Sequence, residues 1–378
     1  MGPIHRIDLY RMGGEAMTIN VGVDLHKMQF TVFARVGDGV FGKYLTTEDG
    51  YESFMAQVRM WRGEGQTVRV GVESTGNTRY FKNRMEREGI EVRVINTLKF
   101  KVVNESVKKT DRHDAATIAE FLEKDMLPES RLCSEASEQL RRLLKVRTTL
   151  VQTTVTVKNQ IHGLLTGLGM QDSRASLQSK RGRQKILNAL AGADNGLVVQ
   201  PLFETIDRLE ANVKIVEVEL AALTEKDRAV ELLRTIPGCG PVTAWTIRAF
   251  TDDIRRFESF KKYSAFAGLV PWVQCSNTTE HYGRITKRGP EELRTALVQL
   301  VLGMRRSKQT LSWRLMELYV IMKREKGTGK TIVATARKLS RIIWCMLTAD
   351  EPFDPSLMID KRLNKKADSM RAALRITA

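Results

Sequence analysis

A mixed α/β domain followed by a mainly helical remainder is the fold class predicted by this sequence of 378 residues. Three observations predict it. In the first third, short β-branched runs alternate with helical patterns. From about residue 134, apolar residues recur at the three- and four-residue spacing of helices. Within this helical remainder, a single stretch keeps a strict 4,3 repeat, the seam of a coiled coil.

Residues 1–16 carry no periodic pattern and are expected to be unstructured, leaving Met1 or Met17 as the start. TINVGVDLHKMQFTVFARVGDGVFGKYLTT then reads as a β-meander: a strand ending at Asp24, a second from Phe30 to Val36, a Gly-Asp-Gly turn and a third strand. DGYESFMAQVRMWRGEG reads as a helix with Tyr51, Phe54, Met55 and Val58 on one side. TVRVGVEST is a buried strand ending at Glu73, NTRYFKNRMEREG a helix closed by Gly89, and IEVRVIN a further strand. In ESVKKTDRHDAATIAEFLEK a helix starts with Thr110 as its N-cap. Together these elements make a mixed-sheet domain over residues 17–130.

Residues 131–228 read as a coiled-coil region with two long helices. Leu202, Ile206, Leu209, Val213, Val216, Leu220 and Leu223 form the strict seam. Leu143, Leu150, Val157, Ile161, Leu164 and Leu168 form a looser one that Arg147 and Thr154 interrupt. Between them QDSRASLQSKRGRQK is polar and basic, and an irregular insert is expected. The two helices could pack on each other or on a second protomer. Residues 229–350 form a third, mostly helical domain, and 351–378 a charged tail.

Lys and Arg total 61 against 44 Asp and Glu, a net charge of +17. That excess points to a polyanionic partner, and to nucleic acid before anionic lipid because no basic amphipathic helix stands out. No apolar run approaches the roughly 20 residues that span a bilayer. The N-terminus lacks a signal or transit pattern, so a cytoplasmic protein with no membrane contact is expected. The four cysteines are far apart and outside any metal-ligand spacing, which excludes a disulfide framework and a zinc site.

The acids at the ends of apolar strands carry the chemistry. Asp24 and Glu73 each close a strand, and Asp111 and Asp114 share the first turn of a later helix. Taken singly they read as turn, cap or dipole-complementing residues. If the sheet sets those strands side by side with the helix across their ends, four carboxylates converge and cannot all ionise without cations. Hard oxygen donors of this kind suit magnesium, and two such ions serve phosphodiester cleavage. His26 and His113, beside these acids, read as solvated loop residues. Lys108 and Lys109 precede the acidic pair.

GLVPWVQCSNTTEHYGRITKRG, residues 268–289, is a Gly/Pro-punctuated polar loop whose Arg284, Lys287 and Arg288 suit phosphates. IPGCGPVTA has the Pro-Gly-x-Gly form of a helix-hairpin-helix turn, where backbone N–H groups near Gly238 and Gly240 could grip phosphate. GTGKT, residues 327–331, resembles the end of a nucleotide-binding loop, but Arg324 stands where its first glycine belongs. Nucleotide hydrolysis is rejected on that ground, and Lys330 reads as a surface or phosphate-contacting residue.

VGVDLHK, VGVESTG and KKTDRHDAATIAEFL resemble the three acidic blocks of the DEDD insertion-sequence transposases, the family numbered one-ten. GLVPWVQCSNTTEHYGRITKRG resembles that family's serine signature. The likeness covers nearly the whole chain. It implies an N-terminal domain similar to the RuvC resolvase, of ribonuclease H-like fold, and a C-terminal transposase domain. Carried over by position, Asp24, Glu73, Asp111 and Asp114 match the metal-binding quartet, for Mg2+ with Mn2+ as a substitute. Ser276 matches the nucleophilic serine that becomes joined to DNA, while Cys275 replaces the signature's first serine and Asn277 its glycine. The resemblance further implies donor and target DNA, a structured noncoding guide RNA, a dimer or tetramer whose two centres meet across protomers, and a prokaryotic cell. A water-using junction nuclease and a silent nucleic-acid-binding protein are the rival readings.

Overall fold

The computed structural model describes residues 18–63, 65–97, 99–100, 110–170, 176–191, 195–276, 279–310 and 313–355. The chain divides into two compact units, Met1–Leu132 and Cys133–Ala378.

The first unit is built on five strands: β1 (Thr18–Leu25), β2 (Gln29–Ala34), β3 (Val40–Leu45), β4 (Thr67–Glu73) and β5 (Glu91–Ile95). Their order in the sheet is β3-β2-β1-β4-β5, the first three antiparallel and β1, β4 and β5 parallel. Helices α1 (Glu48–Gly63), α2 (Thr78–Arg87) and α3 (Asp111–Glu123) complete it. Side chains alternate across a strand, and both faces are used. Ile19, Val21, Val23, Val68, Val70 and Val72 belong to one core with Tyr51, Phe54 and Met55 of α1 and Phe81 and Met85 of α2. Burying each such side chain contributes about 1.5–3 kcal/mol.

The opposite face receives α3, and two glycines let it come close. A Cβ on Gly22 would lie 2.0 Å from the Ala115 carbonyl oxygen and 2.6 Å from the Ala119 nitrogen. One on Gly71 would meet Ile118 at 2.9 Å and Leu127 at 3.0 Å. The contacts at Gly22 are backbone atoms, which no rotamer change can move aside. Gly22→Ala is therefore expected to push α3 off the sheet, destabilising the unit by about 3 kcal/mol, the upper range for an overpacked core. The urea midpoint of the metal-free protein measures this, and an unchanged midpoint would contradict the close approach.

In the second unit α4 (Glu135–Gly167) and α6 (Asn195–Leu223) form an antiparallel hairpin. Arg147 pairs with Glu217 at 2.8 Å and Lys158 with Glu210 at 2.9 Å, so partners advance along one helix as they retreat along the other. The long helices thus pack on each other within the chain. Two expectations are corrected. The insert between them is not irregular throughout, because α5 (Lys180–Leu190) occupies much of it, capped by the Ser179 hydroxyl and seated through Ile186 and Leu190. Nor do Arg147 and Thr154 interrupt the α4 seam. Thr154 is buried with its hydroxyl donating to the Leu150 carbonyl, whereas Leu164 and Leu168 stand exposed. Arg183 of α5 is also buried, bound to Asp207 at 2.8 Å and Glu210 at 3.0 Å, both of α6, and Glu210 in turn holds Lys158 of α4.

Helices α7 (Arg228–Arg234), α8 (Pro241–Thr251), α9 (Phe260–Phe266), α10 (Glu291–Arg306) and α11 (Arg314–Ala349) surround the main core of this unit, with a ribbon of β6 (Pro271–Ser276) and β7 (Thr279–Ile285) beside them. Gly327, at φ 76° and ψ 167°, breaks α11 into two helical segments. The later segment is held by a buried Ser264–Ser340 hydrogen bond of 2.7 Å and by the Trp344 indole donating to the Phe257 carbonyl. No helix among the described residues is long and apolar enough to cross a membrane.

Candidate active site

Parallel pairing of β1 with β4 runs to Val23 opposite Val72. One residue further along each strand stand Asp24 and Glu73, at the C-terminal end of the sheet. Both have the face parity of Gly22 and Gly71, the face that α3 covers. The glycine-permitted approach of α3 therefore also sets its first turn near the ends of these strands. Thr110 caps that turn, its hydroxyl accepting from the His113 N–H at 3.2 Å. Arg112 lies over the Phe41 ring at 5.1 Å and ties the helix start to β3.

Three donor groups converge there. Ligand atoms of Asp24, His26 and Asp111 lie within 4.8 Å of one another. His26 Nε2 is 3.1 Å from Asp24 Oδ2 and 3.9 Å from Asp111 Oδ1. Lys43 Nζ approaches Asp111 Oδ2 at 3.6 Å, an exposed pair of modest strength. Asp24 is only 7% exposed. Burial holds its carboxyl above the usual carboxylate range; His26 pulls it down, and Asp111 and Asp114 push it further up. Asp114 is thus near enough to act on Asp24 through space. Neither it nor Glu73 belongs to the group within 4.8 Å. His26, which reads from sequence as a solvated loop residue, joins the cluster; only the turn that folds it back over Asp24 reveals this.

A carboxylate lifted by burial, a second carboxylate beside it and an imidazole make a donor set that fits a divalent cation. Oxygen donors suit magnesium and manganese, and the nitrogen also accommodates the latter.

The remaining sequence candidates lie in the second unit or outside the described residues. Ser276 ends β6 opposite Thr279, at the tip of the ribbon. The side chains of Cys275 and Ser276 lie outside the described residues, as do residues 277 and 278, Lys108 and Lys109. At the ribbon's base Lys287 adopts φ 52°, its N–H donating to the Gly268 carbonyl at 3.3 Å. Arg294 Nη1 donates to the Lys287 carbonyl at 3.2 Å. This turn leaves Arg284, Lys287 and Arg288 exposed. Gly238, at φ +85°, packs against Gly303 of α10, where a Cβ would fall 2.5 Å from the Gly303 carbonyl carbon. Gly240 caps α8 with open space around its Cα, and Pro241 follows at the first helical position.

Comparison with known proteins agrees in both units. Residues 21–170 match a DEDD-type transposase model of the IS110 group, and residues 230–315 match the model described as Transposase IS116/IS110/IS902 family. The transposase for insertion sequence element IS1111A of Coxiella burnetii is 29% identical over 363 residues, covering 92% of this chain and 95% of its own. The transposase for element IS1328 of Yersinia enterocolitica is 26% identical, covering 75% of this chain and 85% of its own. A pilin gene-inverting protein of Moraxella bovis is 22% identical over 88% of this chain and 97% of its own. The acid-ended sheet and the serine-bearing ribbon thus fall in two segments matched by models of one kind, and across both the chain is similar to the IS116/IS110/IS902 family of transposases.

Proposed function

We propose that this transposase cuts and rejoins DNA through a covalent phosphoserine intermediate on Ser276, with Mg2+ or Mn2+ held by Asp24 and Asp111 and completed by Glu73 and Asp114. The observation that carries this reading is the convergence of Asp24, Asp111 and His26 at one end of the sheet. A bound divalent ion would stabilise charge on the phosphoryl and leaving oxygens.

In the proposed step the Ser276 hydroxyl gives up its proton and its oxygen bonds to phosphorus. The P–O3′ bond breaks, and the departing 3′ oxygen takes a proton. The phosphoserine bond keeps the energy of the broken linkage, so a new 3′ hydroxyl can attack it and restore the strand with no external energy source. The name of the Moraxella bovis relative supports this, because inverting a gene requires every cut end to be resealed. The net charge of +17 supports a nucleic-acid partner, and we propose a structured guide RNA alongside the DNA being cut. Ile215 and Val218, exposed on the outer side of α6, support assembly of copies through the helical hairpin into a dimer or tetramer.

The test is to incubate the full chain with end-labelled element-junction DNA and its RNA, then separate products under denaturing conditions. A slowly migrating protein–DNA adduct is expected that forms with Mg2+ or Mn2+ and not with chelator. Cleavage that leaves no adduct at any time point would replace this reading with a water-using nuclease.

A further inference from the structure

A second concave surface lies wholly within the second unit, between β7 and the later segment of α11. It encloses about 1150 Å³ and is lined by Arg284 and Lys287 on one wall and by Lys330, Arg337, Lys338 and Arg341 on the other. Among the described residues no carboxylate lines it. Among those residues, too, none lies within ion-pair distance of Arg284, Lys287, Lys330 or Arg337. Lys330, Arg337 and Arg341 lie on one stripe with Ala334 between them, because positions 330, 334, 337 and 341 are three or four residues apart, and Lys338 stands beside Arg337. From Lys330 to Arg341 the stripe runs about 16 Å at 1.5 Å per residue.

The stripe begins just after the Gly327 break. That break gives the later segment its own N-terminus, whose free N–H groups and positive dipole end add to the cations. GTGKT therefore has a place in the fold: Gly329 and Lys330 line the groove mouth. On the facing wall Tyr282 is 67% exposed and lines the same groove.

Cations gathered along two facing walls repel one another unless a polyanion lies between them. A recess of this volume exceeds the roughly 300–1000 Å³ of small-ligand pockets. Cations along both walls with an exposed aromatic ring are the arrangement by which proteins hold single strands, the charges tracking phosphates and the ring stacking a base. We propose that this groove seats a single-stranded stretch of nucleic acid by its phosphodiester backbone, with Tyr282 as a stacking platform. The proposal rests on the reading of the chain as one that acts on nucleic acid, and it adds a strand-holding surface distinct from the acidic cluster.

Fluorescence anisotropy of the full chain tests it, using one labelled 12-nucleotide sequence as single-stranded DNA, as RNA and as DNA duplex, each across a salt series. The combined Lys330→Gln and Arg337→Gln variant is expected to bind the single strand about ten-fold more weakly near 0.15 M salt. Its log–log salt slope should fall by about 1.4, two contacts at about 0.7 each. Tyr282→Ala should lose roughly five-fold or more, and Tyr282→Phe should retain wild-type binding. Loss confined to the DNA strand, to the RNA strand or shared by both supports the groove and identifies the source of its ligand. Unchanged affinity and slope, or an equal loss with duplex, overturns it. Calorimetric Mn2+ titration of the same variants separates the two readings. The groove variants should bind Mn2+ as wild type does, whereas wild type failing to bind Mn2+ would sink the metal site and leave the groove standing.

Discussion

Ser276→Ala is expected to abolish the covalent protein–DNA adduct and to lower strand cleavage on the order of 10⁴-fold or more, the scale seen when a nucleophile is removed. The neighbouring position provides the control. Cys275→Ser should leave adduct yield within a few-fold of wild type, because the carried-over nucleophile is the second position of the signature. Ser276→Cys offers a stronger discrimination, since a thiol attacks phosphorus poorly yet fills nearly the same space. Adduct lost in Ser276→Cys with unchanged DNA binding assigns the defect to chemistry rather than to folding. Adduct persisting in Ser276→Ala would transfer the role to another hydroxyl. Backbone pairing with Thr279 sets Ser276 at the end of the β6–β7 ribbon, so on the proposed reading the exchange takes place there rather than within one of the core helices.

Asp24→Asn is expected to act in two opposite directions. Cleavage should fall on the order of 10²–10³-fold, since an amide is a poor ligand for a hard cation and the loss is felt in the transition state. The metal-free protein should become more stable by about 1 kcal/mol, as happens when a site that strains its fold is relaxed. The cause of the second effect is local. Asp24 is buried, its carboxyl is pushed up by that burial, and Asp111 and Asp114 oppose its charge. Asparagine keeps the shape, removes the charge and still accepts from His26. Thermal melts with and without Mn2+ measure both effects at once: wild type should gain stability from the ion and the variant should not. A variant that melts lower than wild type without metal would show that the charge is compensated by groups other than those named.

Much of this is legible in the order of residues. Apolar runs that close on a single acid are unusual, so Asp24 and Glu73 mark the ends of their strands by composition alone, although Asp24 itself stays buried. Thr110 followed by Asp111 and Asp114 marks a helix start for the same electrostatic reason that makes it a good cap. Other features resist reading because a polar residue does an apolar residue's work. Helix α5 is hidden by Arg183, which is buried in ion pairs where the helical period calls for a hydrophobe. Thr154 hides the α4 seam in the same manner, its hydroxyl satisfied within its own helix. His26 joins the cluster through a turn that folds it over Asp24 and through Asp111 far along the chain, and the basic groove likewise joins distant segments, so no single local pattern announces either.

The contact between Gly238 and Gly303 has a bearing on how variants of this chain should be interpreted. A Cβ at either position would meet the other's backbone at 2.3–2.5 Å, so even one methyl wedges the turn away from α10. A saturation library would return both sites as intolerant, and the pair would look indispensable to chemistry. That intolerance would be a matter of clearance between two pieces of backbone. Inactive substitutions at Gly238 should accordingly be sorted by solubility and melting behaviour before any is credited to lost grip on DNA.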